Sequence, residues 1–378
     1  MKSKRKNVSN NKSKNHKNNR SRKRDQNQNN MQSVNINIIQ TKKADSTTFG
    51  GYPIDLFFGL LYLKQKHSKL LALPFKIRDL ITKYKYEIKK GNPTSFAGCL
   101  IYRCKRDIIE KDLYMSSEPD SSEMSSNNIV EKRKNTNNYN RSKPVYKFKS
   151  DDFEIELPNK QSKESFLKVV LQRSRDKRFM IVPLIFKWTC SKTQTGHANI
   201  IFIDLKKKEA ERFEPYGKTR KFSENEQAVA NNFDKLMTDM FAKIKFTYFK
   251  PSKFVPRKGP QYIEEKKIYF QKSNETSEQE SDPEGFCGAW SLWYADLRMT
   301  NRKKSRKKLL KKSIKKLKSN HYSLRAFIRN YSKFILEKRR RFLGKLDISR
   351  QNNNLDDYFK RFNSKKSELS EMLRTEKN

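Results

Sequence analysis

The sequence predicts an α+β fold, and three stretches carry that reading. RFMIVPLIFKW (178–188) and HANIIFIDL (197–205) are rich in β-branched and aromatic residues and flank the turn-like SKTQTG, which predicts paired antiparallel strands. SENEQAVANNFDKLMTDMFAKI (223–244) places Val229, Phe233, Leu236, Met237, Met240 and Phe241 on one helical face, with a capping-box pair at Ser223 and Glu226. GFCGAWSLWYADLRM (285–299) repeats Phe286, Ala289, Trp290, Trp293, Tyr294 and Leu297 at helical spacing, which predicts a central, buried helix.

The remaining elements follow in order. Residues 1–48 are Lys, Arg, Asn, Ser and Gln with almost nothing to bury, so a disordered basic tail is expected. Residues 49–115 return to globular composition, and Leu60, Leu61, Leu63, Leu70, Leu71, Leu73, Phe75, Ile77, Leu80, Ile81 and Tyr84 predict two or three short helices. Residues 116–143 form a polar linker or insertion ahead of a core at 144–300. Within that core AERFEPYG (210–217) is a third strand of a meander, KFTYFK (245–250) another, and YIEEKKIYF (262–270) a possible further one. Residues 301–378 read as a basic, helical tail.

Charge narrows the partners. The chain has 378 residues and a net charge of +45, concentrated in the first 48 residues and after Asn301. Such density predicts sequence-neutral contact with nucleic acid through the tails, or a nuclear-import signal. The most apolar run, IDLFFGLLYL (54–63), is half the ~20 residues of a spanning helix. The N-terminus lacks an apolar signal region, so neither a membrane location nor secretion is expected. The four cysteines, Cys99, Cys104, Cys190 and Cys287, form no CxxC pair and stand at no zinc-finger spacing from the histidines. A reducing compartment and a free thiol follow.

One thiol has a chemical context. Cys287 falls in the first turn of the aromatic helix, after the turn Asp282-Pro283-Glu284-Gly285. There the helix dipole favours thiolate, and free N–H groups can meet an oxyanion. His197 opens a strand and suits a general base at a sheet edge. Its orienting acid is Glu214, seventeen residues on, because a meander returns Glu214 beside the strand's start. Asp204 is the alternative, but it lies ~23 Å along the strand unless that strand breaks.

His197, IIFIDLKKK, Glu214 and the Cys-Gly opening an aromatic helix resemble the SUMO-protease and adenain superfamily of cysteine proteases. Its triad runs His, Asp or Glu, then Cys, with Glu in adenovirus-type members. ERFEPYG with GFCGAWSLWYADLRM also resembles the form found in large and giant DNA viruses. The resemblance covers residues 178–300 and implies a papain-like-superfamily core, a sheet packed on a Cys-bearing helix. Two departures stand out: Ala198 follows the base where relatives often carry Trp, and Ser281 occupies the usual place of the oxyanion Gln. Gln261, after the rigid Gly259-Pro260, is the favoured substitute, with Gln279 the alternative and Gln271 behind it.

The expected activity is therefore that of a thiol endopeptidase or isopeptidase on viral precursor proteins or ubiquitin-like conjugates, in a virion or host cytoplasm, requiring no metal or cofactor. Two other readings remain open: an acyltransferase on the same His-Glu-Cys scaffold, and a basic nucleic-acid-binding virion protein with an inactive core.

Overall fold

The computed structural model describes residues 53–75, 99–108, 149–158, 161–190, 193–218, 224–265, 286–319, 323–346 and parts of 361–371. All lie within one compact unit. In chain order the elements are α1 (Pro53–Lys66), β1 (Leu71–Ala72), β2 (Leu100–Ile108), β3 (Phe153–Glu156), α2 (Lys163–Asp176), β4 (Phe179–Cys190), β5 (Thr193–Asp204), β6 (Glu209–Phe213), α3 (Glu224–Ala242), β7 (Thr247–Phe249), α4 (Pro260–Glu265), α5 (Cys287–Thr300), α6 (Arg306–Ser319) and α7 (Leu324–Lys345).

A mixed, seven-stranded sheet runs β3-β2-β4-β5-β6-β7, and β1 pairs with β4. The β4-β5-β6 meander is antiparallel, while β2 and β1 join β4, and β7 joins β6, in parallel. Alternation along β5 divides its side chains between two helical layers. Ile201 and Ile203 join the core built with Phe166 and Val170 of α2 and Val229, Phe233, Met237 and Phe241 of α3. On the opposite side, β6 and α5 meet where the Phe213 and Tyr294 rings stack at 4.1 Å.

Helix α5 is buried from Gly288 to Met299, as expected of a helix enclosed by other elements on every side. It packs on β5, α1, α4, α6 and α7. Trp290 and Trp293 meet edge-to-face at 5.2 Å, and Phe327 of α7 covers both. Gly59 of α1 permits the closest approach: a Cβ there would stand 2.2 Å from Leu292 Cδ1. Lys66 and His67 seal the far end of the α1–α5 contact by binding the two oxygens of Asp296, each at 2.8 Å.

Several expectations change. Arg306–Ser319 and Leu324–Lys345 are helical, as expected, but pack on the core and form no tail. Leu309, Leu310 and Ile314 of α6 and Ile328, Tyr331, Ile335, Phe342 and Leu343 of α7 are buried, because these basic helices keep an apolar stripe that covers α5 and α1. Pro260–Glu265 form a helix where a strand was expected from Tyr262, with Pro260 at its start, where a missing N–H costs nothing; residues 266–270 lie outside the described residues. Leu71–Ala72 and Leu100–Ile108 are strands, not helices. Sheet pairing outweighs local propensity there. Ile77, Leu80, Ile81 and Tyr84, the expected 1–48 tail and the 116–143 linker lie outside the described residues. Among those residues no helix is long and apolar enough to cross a membrane.

Candidate active site

Three sequence-selected residues converge at the amino end of α5. Cys287 is the first residue of that helix and is partly exposed. His197 lies on β5 opposite Phe186 of β4. Its Nε2 and Glu214 Oε1 are 2.7 Å apart, and both residues are buried. The other ring nitrogen, Nδ1, is left for Cys287, and the imidazole is hydrogen-bonded to the thiol. The main-chain N–H of Ala198 adds a 3.4 Å contact to Sγ.

Burial pushes the Cys287 thiol up, but the hydrogen bond from His197, the charge of that ring and the N–H groups of Ala198 and Gly288 outweigh it. The net displacement is below the ordinary thiol value. A thiol held this way is a thiolate nucleophile over a wider pH range than a free cysteine.

The turn after β6 fixes Glu214. Tyr216 N–H donates to Glu214 Oε1 at 3.3 Å, and Gly217 N–H donates to Glu214 O at 3.1 Å. Gly217 has φ +98°, a conformation that glycine alone adopts without strain. A Cβ on it would also meet Gly259 N at 2.4 Å. This close approach lets Tyr216 O accept from Gly259 N–H at 2.8 Å and Pro215 O accept from Gln261 N–H at 3.1 Å. The acid-bearing turn is thereby fastened to α4.

Four residues near the triad escaped the sequence reading. Arg212 is buried, and its Nε and NH2 grip Asp234 Oδ1 and Oδ2 of α3, each at 2.8 Å. Its NH1 donates to Asn199 Oδ1 at 2.7 Å and approaches Glu214 Oε2 at 3.4 Å. The Asp234 charge holds the guanidinium above its already high ordinary value despite burial. Tyr216, the fourth, sets its ring 5.4 Å from that of His197. The available signal was the spacing of two in His197-x-Asn199 and Arg212-x-Glu214, which puts each pair on one strand face.

Gln261 is buried on α4, with Nε2 donating to Glu265 Oε1 at 3.0 Å and Oε1 without a hydrogen-bond partner. The amide is thus engaged with Glu265, which also accepts from the Tyr216 hydroxyl. Asp204 pairs with Phe179, seven rungs of the β4–β5 ladder from His197, where it accepts from Lys207 N–H and faces Arg178. It is not brought to the imidazole. Gln271, Gln279 and Ser281 lie outside the described residues. Among the described residues no group of three or more His, Cys, Asp or Glu could hold a metal.

Comparison with known proteins adds one relative. A stretch of 182 residues is 34% identical to the putative ankyrin repeat protein L371 of Acanthamoeba polyphaga mimivirus, covering 46% of this chain and 22% of that protein. The match thus spans about a fifth of the relative's length. No family model matches, and no solved structure matches.

Proposed function

We propose that this chain is a cysteine protease of papain-like architecture, acting as an endopeptidase or isopeptidase. The observation that carries the reading is the hydrogen-bonded series Glu214–His197–Cys287, with the thiol at the start of a buried helix and displaced toward thiolate. In this reading the Cys287 thiolate adds to the scissile carbonyl carbon, and N–H groups at the helix start stabilise the oxyanion. The His197 imidazolium then gives its proton to the leaving nitrogen as the C–N bond breaks, leaving a thioester. Water, deprotonated by His197, attacks the thioester and releases acid and thiolate. Glu214 holds the ring through Nε2, so that Nδ1 faces sulfur throughout. Gln261 contributes to the oxyanion site if its amide turns from Glu265.

The mimivirus relative supports a viral setting, a virion or host cytoplasm, with precursor proteins or ubiquitin-like conjugates as substrates. A second partner, nucleic acid, is supported by the exposed Lys307, Lys308, Lys311, Lys312 and Lys315 on α6. Replacing those five by Gln lowers the salt dependence of DNA binding by about 0.9 in log–log slope for every phosphate no longer neutralised. An unchanged slope in a filter-binding titration removes α6 from the nucleic-acid interface.

A peptide vinyl sulfone ending in Gly-Gly tests the protease reading directly. The expected result is one adduct on Cys287, absent from Cys287→Ala. No adduct on the wild type, or equal labelling of the variant, overturns it. Mass-spectrometric mapping of new termini in candidate precursors then identifies the cleavage site.

A further inference from the structure

Behind the triad lies a second set of buried groups whose charges do not balance one another. Asp234 on α3, Arg212 and Glu214 on β6 and the turn after it, and Asn199 on β5 are all buried. Two carboxylates share one guanidinium, and the sharing is unequal. Asp234 takes two bonds of 2.8 Å, whereas Glu214 is approached at 3.4 Å. Counted over these groups, one negative charge remains, and Glu214 presents it to the imidazole at 2.7 Å. A protonated His197 brings the sum to zero, which is the state that pairs with a Cys287 thiolate.

Resting on the protease reading above, we propose that Asp234 is a positioning residue for the reaction. By occupying Arg212 it keeps the Glu214 charge available to hold His197 as imidazolium beside the Cys287 thiolate. Asp234 touches neither reacting atom and acts through Arg212 and Glu214. The groups that face this series come from every neighbouring element. Tyr248 of β7 donates its hydroxyl to Asp234 Oδ1 at 2.8 Å. Asn199 of β5 accepts from Arg212. Tyr216 sits against the His197 ring, with Glu265 and Glu264 of α4 beyond it. Phe186 of β4 lies under the guanidinium at 5.3 Å and supplies no charge.

Asp234 and its partner Tyr248 predict opposite outcomes, which a purely structural role does not. Asp234→Asn removes a charge, turns Arg212 toward Glu214 and weakens the hold on the imidazolium. Tyr248→Phe removes a neutral hydroxyl that bonds both Asp234 and Arg212, so the two charged groups close on each other and Glu214 is freer.

The measurement is the pH dependence of iodoacetamide alkylation at Cys287 in the full chain, resolved by peptide mass spectrometry. The wild-type midpoint is expected below that of a free thiol, ~8.5. Asp234→Asn raises it by about one unit, making alkylation about tenfold slower below the midpoint. Tyr248→Phe lowers it by a few tenths, and Asp234→Glu restores the wild-type value. A wild-type midpoint at the free-thiol value sinks the protease reading itself. A depressed wild-type midpoint that Asp234→Asn leaves in place sinks the relay alone. A rise in both variants marks loosening and also overturns the relay. If Asp234→Asn does not fold, Tyr248→Phe decides: a fall supports the relay, and no change or a rise ends it.

Discussion

Glu211 and Glu214 stand three residues apart around the end of one strand, and their surroundings are opposites. Glu211 faces α5, whose Arg298 Nε (2.6 Å) and Tyr294 hydroxyl (2.6 Å) converge on it together with Arg306 Nε of α6 (2.5 Å). Arg306 also binds Glu209 and lies 3.7 Å from the Phe249 ring centre. Glu214 faces the other layer, with its guanidinium contact stretched to 3.4 Å and its shortest contact, 2.7 Å, made to an imidazole. The first carboxylate is saturated by fixed cations and fastens β6 to the Cys-bearing helix. The second meets a group that can gain or lose a proton. A buried acid gripped by two arginines holds a fold together, and one aimed at a histidine can govern chemistry. Glu264 is intermediate: Arg325 Nε binds it at 2.7 Å, yet burial pushes its carboxyl up to about 7.

Exchanging the two acids for their amides separates these roles. Glu214→Gln should lower kcat/KM by about 10²–10⁴ while the urea midpoint stays near wild type, measured on a fluorogenic peptide and by unfolding monitored through tryptophan emission. Glu211→Gln should do the reverse. It leaves the buried Arg298 and half-buried Arg306 guanidiniums against a neutral amide and costs about 3–5 kcal/mol of stability, with the rate per folded molecule kept. If Glu211→Gln abolishes turnover without loss of stability, the division between the two acids is wrong.

Glu264 gives a smaller, pH-dependent effect. Its folded value lies above the ordinary 4.5, at about 7. The stability it lends is therefore full below pH 4.5 and lost as pH rises through 7. On the order of 2–3 kcal/mol disappears across that window, and Glu264→Gln should flatten it in unfolding curves taken from pH 4 to 8. A profile that keeps its slope in the variant assigns that slope elsewhere.

The smallest expected effect concerns the seam behind both acids. Gly59→Ala forces a methyl into Leu292, for a cost of about 1–3 kcal/mol seen in the thermal midpoint. The alkylation profile of Cys287 should not move, because α1 meets α5 beyond the thiol.

The sequence made one end of this site legible and hid the other. The strands of HANIIFIDL and AERFEPYG, their antiparallel pairing and the Cys287 helix could be read because β-branched and aromatic enrichment beside a turn, or a 3.6 period, lies within one segment. Preferring Glu214 to Asp204 needed only strand arithmetic, and the register does place Asp204 with Phe179. Arg212 was invisible because its chief partner, Asp234, lies on α3, and no local pattern announces a pair that forms only when two layers meet. The strands at 71–72 and 100–108 eluded the reading for the same reason: their partner is β4, far along the chain. Density of Lys and Arg misled in the opposite direction after Asn301. There the charged positions concealed an apolar stripe at Leu309, Leu310, Ile314, Ile328 and Ile335.

The ion pair between Asp55 and Arg339 spans 284 positions and fastens α1 to α7. Loops that long close slowly. On the ribosome, the greasy side of Leu56, Leu60 and Leu63 therefore emerges long before α5 and α7 exist to cover it. A nascent chain of this design carries that apolar surface uncovered by its final partners through most of its synthesis.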